Sequence, residues 1–581
     1  MKALVACLLF LLVIGLANYP VVVSHQPKST SSMHYLAPNT NSSFPNVLVS
    51  NCNLGTSAVS NAEVESAVDP TTGYIYDEWI GCGGIGFARS IDGGASFQSA
   101  ITIPESLDGL GNFSWDPAIA VSSNGTIYAA FMLSSGNVYP LGGRPMVAIS
   151  YDHGLSFSKV ASVAPYNNTE FSDRDFIAIS TSGIIYVTWD YAPNGSSIKA
   201  VCPIGSCYFS QGELNIVISH SSNGGNTWSP YTPVSPNFPY GAADTGPLLV
   251  EPSGKVDILY LDYNSSGPNH VFGPGYNYFV SSSNEGISWS APVVVGAGGG
   301  RSVSQTAWWI DGAIARDKSG NLYATFDTPN TTSDNAWISV SSNEGQSWSN
   351  PVELYQSPNS SANIIAEVAS DQTSSAYVTW MSNSSLGLQA MFQVFSSNGS
   401  AISPPIVVSK RGFNGIWGGD TSGIALLNDS GVALSYGLGV DYNGNNVSEI
   451  FSACLYNLTV VSSGNGDTNP SGTNWYPIGS SIAIQATPST GAIFKGWITD
   501  TSKIAIQNTS SEQTVLNMTG GGQITALFMN APSDSSSSTT NHSTASKGST
   551  NATLPLFEGL AIVIVVLIAI ASAYIFFRRR L

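Results

Sequence analysis

Between residues 46 and 456 short apolar runs alternate with glycine-centred polar breaks, and the runs come in pairs. Ala67 to Trp79 reads AVDPTTGYIYDEW, Ala118 to Phe131 AIAVSSNGTIYAAF, Ile177 to Trp189 IAISTSGIIYVTW and Leu248 to Tyr260 LLVEPSGKVDILY. The pattern continues at Ala313 to Phe326, Val368 to Trp380 and Ile424 to Tyr436. Apolar runs of this length around a turn predict β-hairpins, and their near-continuous hydrophobicity predicts sheets covered on both faces. Each of the first six pairs is followed by a third strand, a polar turn and a fourth strand, such as Pro292 to Val295 or Pro351 to Leu354. The seventh has only a third strand, Ile450 to Tyr456, while an isolated strand, Asn46 to Ser50, precedes the first pair. That strand supplies what the seventh unit lacks.

The turn after the third strand is itself repeated. Ser90 to Phe97 reads SIDGGASF and Ser150 to Phe157 reads SYDHGLSF; SSNGGNTW, SSNEGISW and SSNEGQSW follow from Ser221, Ser282 and Ser341, with a worn sixth at Ser396 to Ile402. The five starts are 60, 71, 61 and 59 residues apart, and a fixed period means a repeat architecture. Within the turn the Asp or Asn accepts hydrogen bonds from turn amides, and the Gly takes the positive φ that other residues avoid. The closing aromatic supplies buried area that pins the turn to its own sheet. The pattern S-x-D/N-x-G-x-S/T-F/W resembles the Asp box of sialidases and related β-propellers. The resemblance implies a structural role, because in that family the box lies away from the active site. A ring in which first and last segments share one sheet leaves only short, protected edges. The expected fold is therefore all-β, a seven-bladed propeller over residues 45–456; the sialidases it resembles have six blades, and six is the alternative.

From Leu458 the pattern changes. Gly464-Asn465-Gly466, Tyr476-Pro477-Ile478-Gly479, Gly496-Trp497 and Ala526-Leu527-Phe528 resemble the divergent internalin-type B repeat of bacterial and archaeal surface proteins. A small β module over residues 457–530 is implied, with Trp497 and Phe528 in its core. Residues 531–553 are mainly Ser, Thr and Asn, cannot form a core and read as a stalk. The uncharged run Gly559 to Phe577, followed by Arg578, Arg579 and Arg580, predicts a transmembrane helix over 554–577 and a cytoplasmic tail over 578–581. At the other end Lys2 and the apolar run Ala3 to Ala17 read as a signal peptide, residues 1–17, with a mobile leader over 18–44. The expected localisation is the cell membrane, single-pass, with the ectodomain outside. Asn-x-Ser/Thr sequons, Asn124 and Asn383 among them, suit that topology.

Charge narrows the partners. A net charge of −18 and a pI near 4.5 exclude nucleic acid, which wants a basic stripe, and suit an exported surface that could hold cations. Five cysteines remain once Cys7 leaves with the signal. Cys202 and Cys207 share one loop and could close a small ring. Cys52 lies in the loop leading into the first unit and Cys82 between its second and third strands, two loops on one face, so Cys52–Cys82 is the favoured disulfide and leaves Cys454 buried. Cys52–Cys454, and all thiols reduced, are the alternatives. No His stands at zinc-like spacing.

Candidate chemistry gathers where these loops converge on the ring axis. The leading loops carry Trp115, Asp116, Asp173, Arg174, Asp175, Asp244, Trp309, Asp311, Trp417 and Asp420; the loops after the second strand begin with Asp190, Asp262 and Asp327. Aromatic rings stack on sugar faces and carboxylates accept hydroxyl hydrogen bonds, so the mixture suits carbohydrate; Ca²⁺ is the cation its oxygens would take. The bland alternative is that each acid satisfies neighbouring backbone amides. The sialidase resemblance implies three arginines on a substrate carboxylate and a Tyr/Glu pair. Arg174, Arg301 and Arg411 are the loop candidates, but the first unit begins Asn61-Ala62-Glu63-Val64-Glu65 without the family's Arg motif. The expected function is a membrane-anchored surface protein binding glycan or a surface-protein partner; the alternatives are an exo-acting glycoside hydrolase of sialidase type and a structural envelope component.

Overall fold

The computed structural model describes residues 46–52, 61–104, 113–134, 143–201, 208–211, 214–236, 241–244, 246–264, 275–298, 312–329, 334–357, 360–371, 373–384, 387–412, 418–428, 430–442 and 445–531. The expected signal peptide, leader, membrane segment and tail, and the stalk from 532, lie outside the described residues, as do Cys202, Cys207, Arg301, Trp309, Asp311 and Trp417. Two compact units divide the chain, Met1–Asn530 and Ala531–Leu581, and the described structure belongs to the first.

That structure is all-β apart from one 3-10 turn, Gly195–Ser197. Sheet 1 orders Ala62–Val68, Ile75–Gly81, Gly84–Ser90 and Ile101–Thr102 as an antiparallel meander. Sheet 2 repeats it with Phe113–Val121, Ile127–Ser134, Gly143–Ser150 and Lys159–Ser162. Sheet 3 uses Phe171–Ile179, Ile185–Ala192, Asn215–Ser221 and Thr232–Pro233. In sheet 4 the inner strand is split into Gly241–Asp244 and Leu248–Val250, followed by Val256–Asn264, Gly275–Ser282 and Val293–Gly298. Sheet 5 is Gly312–Arg316, Leu322–Pro329, Asp334–Ser341 and Val352–Glu353; sheet 6, joined to it by one parallel pairing of Asp334 with Ala362, is Ser360–Ser370, Ser375–Ser384, Gly387–Ser396 and Ile406–Val407. Sheet 7 takes Gly423–Leu427, Gly431–Tyr442 and Asn445–Ser463, and its fourth strand is Val47–Leu48 from the other end of the chain. Val47 pairs with Ser452 and Leu48 with Phe451, where the missing partner was expected. First strands touch in a closed cycle, from sheet 1 through sheets 2 to 7 and back to sheet 1. Sheets radiating in this way from a common centre form a β-propeller.

Packing explains the repeat. Each second strand buries at least one large aromatic: Trp79, Phe131, Trp189, Tyr260, Phe326, Trp380 and Tyr436 are all under 2 % exposed, and each contributes roughly 2–3 kcal/mol by burial. The five repeated turns share one hydrogen-bond set. In the first, the Ser90 hydroxyl donates to Asp92 and accepts from the Gly94 amide, while Ser96 donates to Asp92 through its amide at 2.9 Å and its hydroxyl at 2.6 Å. Asn223, Asn284 and Asn343 repeat the amide contact at 2.9–3.0 Å.

One expectation is extended. The closing aromatic packs on its own sheet, as Phe97 does against Trp79 and Ala88 and Phe157 against Phe131, but it also reaches the preceding sheet. Phe157 meets Phe87 of sheet 1 edge-on at 5.0 Å, and Trp348 meets Phe279 of sheet 4 at 5.5 Å. The turn glycines do the same. A Cβ on Gly154 would lie 2.6 Å from the Phe87 ring, and one on Gly225 3.0 Å from Ile149 of sheet 2.

The strand Asn445–Ser463 does not stop at residue 456. It runs on into the C-terminal module, pairing with Gly472–Pro477 antiparallel and with Gly522–Asn530 in parallel. A second sheet of Gly466–Asn469, Ser481–Pro488, Gln513–Met518 and Ile504–Ile506 covers it. Trp497 and Phe528 lie in the core so formed, and Trp475 stands edge-on to Tyr377 and Phe392 of sheet 6. Module and propeller therefore share both a strand and a hydrophobic core. Cys52 and Cys82 form a disulfide, with Cα atoms 5.6 Å apart, and Cys454 is buried beneath Gly94.

Candidate functional site

The start of the inner strand is irregular in the same way in four sheets. A β-bulge interrupts the ladder between Ala62 and Val64, Trp115 and Ala118, Asp173 and Phe176, and Ile364 and Glu367. At each bulge one non-glycine residue has positive φ: Glu63 (52°), Asp116 (48°), Arg174 (50°) and Ile365 (58°). Such a conformation costs of order 1–2 kcal/mol, persists only where surroundings impose it, and is common beside functional sites. Here the neighbouring sheet imposes it. The Arg174 amide donates to Asp116 at 2.8 Å, the Ile365 amide to Asp327 at 2.8 Å and the Glu63 amide to the Gly418 carbonyl at 3.2 Å. Each acceptor belongs to the preceding unit of the ring.

These bulges bring the acids together. Arg174 is buried and pairs with Asp420 at 2.9 Å, while the Trp115 indole donates to Asp173 at 2.5 Å. Glu63, Asp173 and Asp420 thus lie within reach of the Arg174 charge, and Asp116 and Asp175 belong to the same cluster of acids. Burial, then the Asp420 and Asp116 charges, push the Glu63 carboxyl well above the carboxylate range, against the pull of Arg174. Burial and Asp116 raise Asp173 and Asp175 likewise. Asp420 is pushed up to about 6 by burial, with Arg174 opposing. Behind them Glu78, raised by burial and by Asp175, has no hydrogen-bond partner on either carboxylate oxygen among the described residues. A cavity of about 140 Å³ is touched by every inner strand, from Glu65 and Ala118 round to Val368 and Ile424.

Of the residues anticipated, Trp115, Asp116, Asp173, Arg174, Asp175 and Asp420 come together, and Asp190 sits opposite Asp173 in the ladder. Asp116 bonds a backbone amide, as the bland alternative requires; Glu63 Oε2 and Glu78 have no such partner among the described residues. Asp244 ends a strand and pairs with Leu261. Asp262 groups instead with tyrosines of sheet 4. Arg411 is tied to Ser384, the Gly387 carbonyl and Gln389 at one hairpin of sheet 6, while Arg174 is committed to Asp420. The two share no partner among these contacts, as a carboxylate-gripping triad would need. Tyr191 accepts from Tyr231 at 2.9 Å beside Glu170, but burial and these neighbours raise its phenol, the wrong direction for a nucleophile. No group of three His, Cys, Asp or Glu among the described residues is placed to hold a metal ion, so the Ca²⁺ reading finds no site there.

Sequence reasoning passed over Glu63 and Glu78. Glu63 carried a signal, an acid two residues after Asn61 at the head of a strand. Glu78 carried none, being one polar residue in the run YIYDEW. Phe113, 48 % exposed and 5.3 Å from Trp115, was also missed.

Residues 456–532 match the model of a family described as the divergent InlB B-repeat domain. No curated protein matches the chain. Among solved structures the chain is similar to a protein of unknown function from Dyadobacter fermentans DSM 18053, at 13 % identity over 70 % of this chain and 97 % of that one, with a TM-score of 0.42. A Hadza microbial sialidase, Hz136, matches at 10 % identity over 65 % and 76 %, TM-score 0.41. An α-L-arabinanase of Penicillium chrysogenum complexed with arabinobiose matches at 12 % identity over 70 % and 97 %, TM-score 0.40. Among the described residues no helix is long and apolar enough to cross a membrane.

Proposed function

We propose that this chain is a cell-surface protein, anchored through residues 554–577, whose seven-bladed Asp-box propeller binds neutral glycan at the face carrying the bulges. The closed cycle of inner strands supports seven blades, and the five identical turns support the Asp-box kinship. The observation that carries the function is the make-up of the site: a cluster of five carboxyls holds a guanidinium already paired with Asp420, and the exposed ring of Phe113 lies against Trp115 beside it. An anionic sugar would find the buried guanidinium already paired with Asp420, whereas a neutral one offers hydroxyls to the carboxyls and a ring face to Phe113.

The test uses the full-length protein, kept in detergent, on an array holding neutral oligosaccharides (glucans, galactans, mannans, arabinans) beside sialylated and sulfated ones. Binding confined to neutral glycans and weakened by Phe113→Ala is the expected result. Binding only to sialylated glycans, or to none, rejects the proposal. Extraction of the protein from membranes by detergent but not by alkaline carbonate checks the anchor.

One observation favours hydrolysis as a second reading. Glu63, its carboxyl raised by burial beside Asp116, has the character of a general acid next to a second carboxylate. Release of a fluorophore from neutral glycosides, abolished by Glu63→Gln, would establish it; release from a sialoside, lost in Arg174→Ala and Arg411→Ala, would establish the sialidase reading instead.

A further inference from the structure

Sheet 4 departs from the others at its outer edge. Its fourth strand, Val293–Gly298, has six residues where the fourth strands of sheets 1, 3, 5 and 6 have two, and a register shift between Asn277 and Tyr278 lets it continue to Gly298 opposite Gly275. Sheet 3, which faces it, ends in the two-residue strand Thr232–Pro233. Beside that longer edge, part of the surface facing sheet 3 is exposed.

The side chains on that surface form a ladder. Tyr260 pairs across with Tyr278 and Asp262 with Tyr276, which places all four on one face. Tyr260 and Tyr278 stack with centroids 5.7 Å apart; Tyr276 stands edge-on to Tyr278 at 6.3 Å. Low on the face Tyr260 is buried against the core shared with sheet 3, together with Tyr186 and Ile218. Higher up, Tyr276 is 48 % exposed, and Val294, opposite Tyr278, is 50 % exposed. Asp262 stands half-buried at the edge of the platform. A second observation marks the place as unfinished: the Tyr260 hydroxyl is buried and has no hydrogen-bond partner among the described residues. Buried phenols normally find one.

We propose that this platform is a second carbohydrate subsite, in which a neutral sugar ring lies on Tyr276 and hydrogen-bonds through a hydroxyl to Asp262. It rests on the reading that the propeller binds neutral glycan. The aromatic surface supplies the stacking, and the carboxylate orients the ring and turns away anionic sugars. Burial alone pushes the Asp262 carboxyl up to about 6, so the ionised acceptor is present at neutral pH and is lost in acid. Asp257 and Lys255, five and seven residues before it, pair with Glu251 at the opposite end of the sheet and do not compete for it.

Calorimetric titration of the full-length protein with the neutral oligosaccharide best retained on the array tests the assignment. Tyr276→Ala and Asp262→Asn should each weaken binding at least tenfold, Tyr276→Phe should stay within twofold, and Tyr151→Ala, on an exposed turn residue, should change nothing. Thermal melts of the same variants check folding, and Asp262→Asn retains shape should Tyr276→Ala fail to fold. Undiminished binding by both Tyr276→Ala and Asp262→Asn overturns the second subsite and leaves the first intact. Binding lost in Tyr276→Ala but untouched by Phe113→Ala keeps this subsite and removes the other. An unaltered protein that binds no neutral oligosaccharide overturns both.

Discussion

Carboxylates do opposite work in the outer turns and at the ring's centre. In the outer turns Asp92 and Asp152 are partly buried, but bonds from the Ser96 or Ser156 hydroxyl and amide outweigh the burial and hold them below the usual range. Around the ring's centre Glu63, Glu78, Asp173 and Asp175 are buried and raised, and neither carboxylate oxygen of Glu78 or Asp175 has a hydrogen-bond partner among the described residues. The same chemical group is thus a satisfied staple in one place and an unsatisfied load in the other. A fold retains a load of this kind where something other than stability selects for it, which is why function is placed at the centre and structure in the turns.

The largest effect expected from that difference is on pH dependence. A carboxyl raised in the folded state gives its full stabilisation below its unfolded value near pH 4, and loses it as pH rises through the folded value. That window ends at about 6 for Asp420 and about 7 for Asp77, the latter raised by burial against bonds from Ser66 and Ser435. Asp77 alone accounts for about 4 kcal/mol between pH 4 and pH 8. Lowered groups such as Asp69 act in the other sense: their contribution is present above pH 4 and is lost as pH falls further. The melting temperature should therefore peak near pH 4–5 and fall towards pH 8, with Asp77→Asn flattening the descent. A melting temperature that climbs from pH 5 to pH 8 contradicts the assignment of raised carboxyls to the centre.

Arg174→Met isolates the central cluster. It leaves Asp420 buried without its cation, and breaking such a pair costs about 3–5 kcal/mol. Because the uncompensated acids can take up protons, the loss should be largest at pH 8 and shrink at pH 5. Denaturant unfolding at the two values checks this, and an equal loss at both would show that Arg174 matters through packing alone.

What was legible beforehand follows the same divide. Strand pairs, the period of the turns and the pairing of Val47–Leu48 with sheet 7 were readable because each depends on local pattern or on a missing neighbour. Bulges were not. One additional residue at Glu63, Asp116 or Arg174 leaves a short apolar run looking unchanged, yet it turns a charged side chain into the cluster. Nor could sequence show that Glu63 meets Asp420, since ring closure alone joins residues so far apart. Arg411 was rightly placed in a loop, but its partners Ser384 and Gln389 come from a hairpin that only the fold brings near.

Within the turns the contrast can be sharpened by glycine. Gly154 and Gly183 have nearly the same φ, 77° and 85°, but a Cβ on Gly154 meets the Phe87 ring whereas one on Gly183 meets nothing within 4 Å. Gly183→Ala should cost about 1 kcal/mol, the left-handed strain alone, and Gly154→Ala about 3 kcal/mol because the sheets must also part. Equal costs would mean that the turns do not join neighbouring sheets.

The smallest effect belongs to Asp152→Asn, and its smallness is informative. Three of the five turns already carry Asn, whose Oδ1 accepts the same amide while Nδ2 donates to the hydroxyl, as Asn284 does to Ser288 at 2.9 Å. In Asp152 that bond runs the other way, the Ser156 hydroxyl donating at 2.6 Å. The swap reverses one hydrogen bond without deleting it, so stability at pH 7 should stay within about 0.5 kcal/mol. At pH 3 the sign should favour the variant. The carboxylate of Asp152, held low by its bonds, begins to lose them on protonation, while the amide of Asn has no proton to gain. Melting curves of the two proteins should therefore cross between pH 7 and pH 3; curves that stay parallel would mean that the turn aspartates are not satisfied as ions.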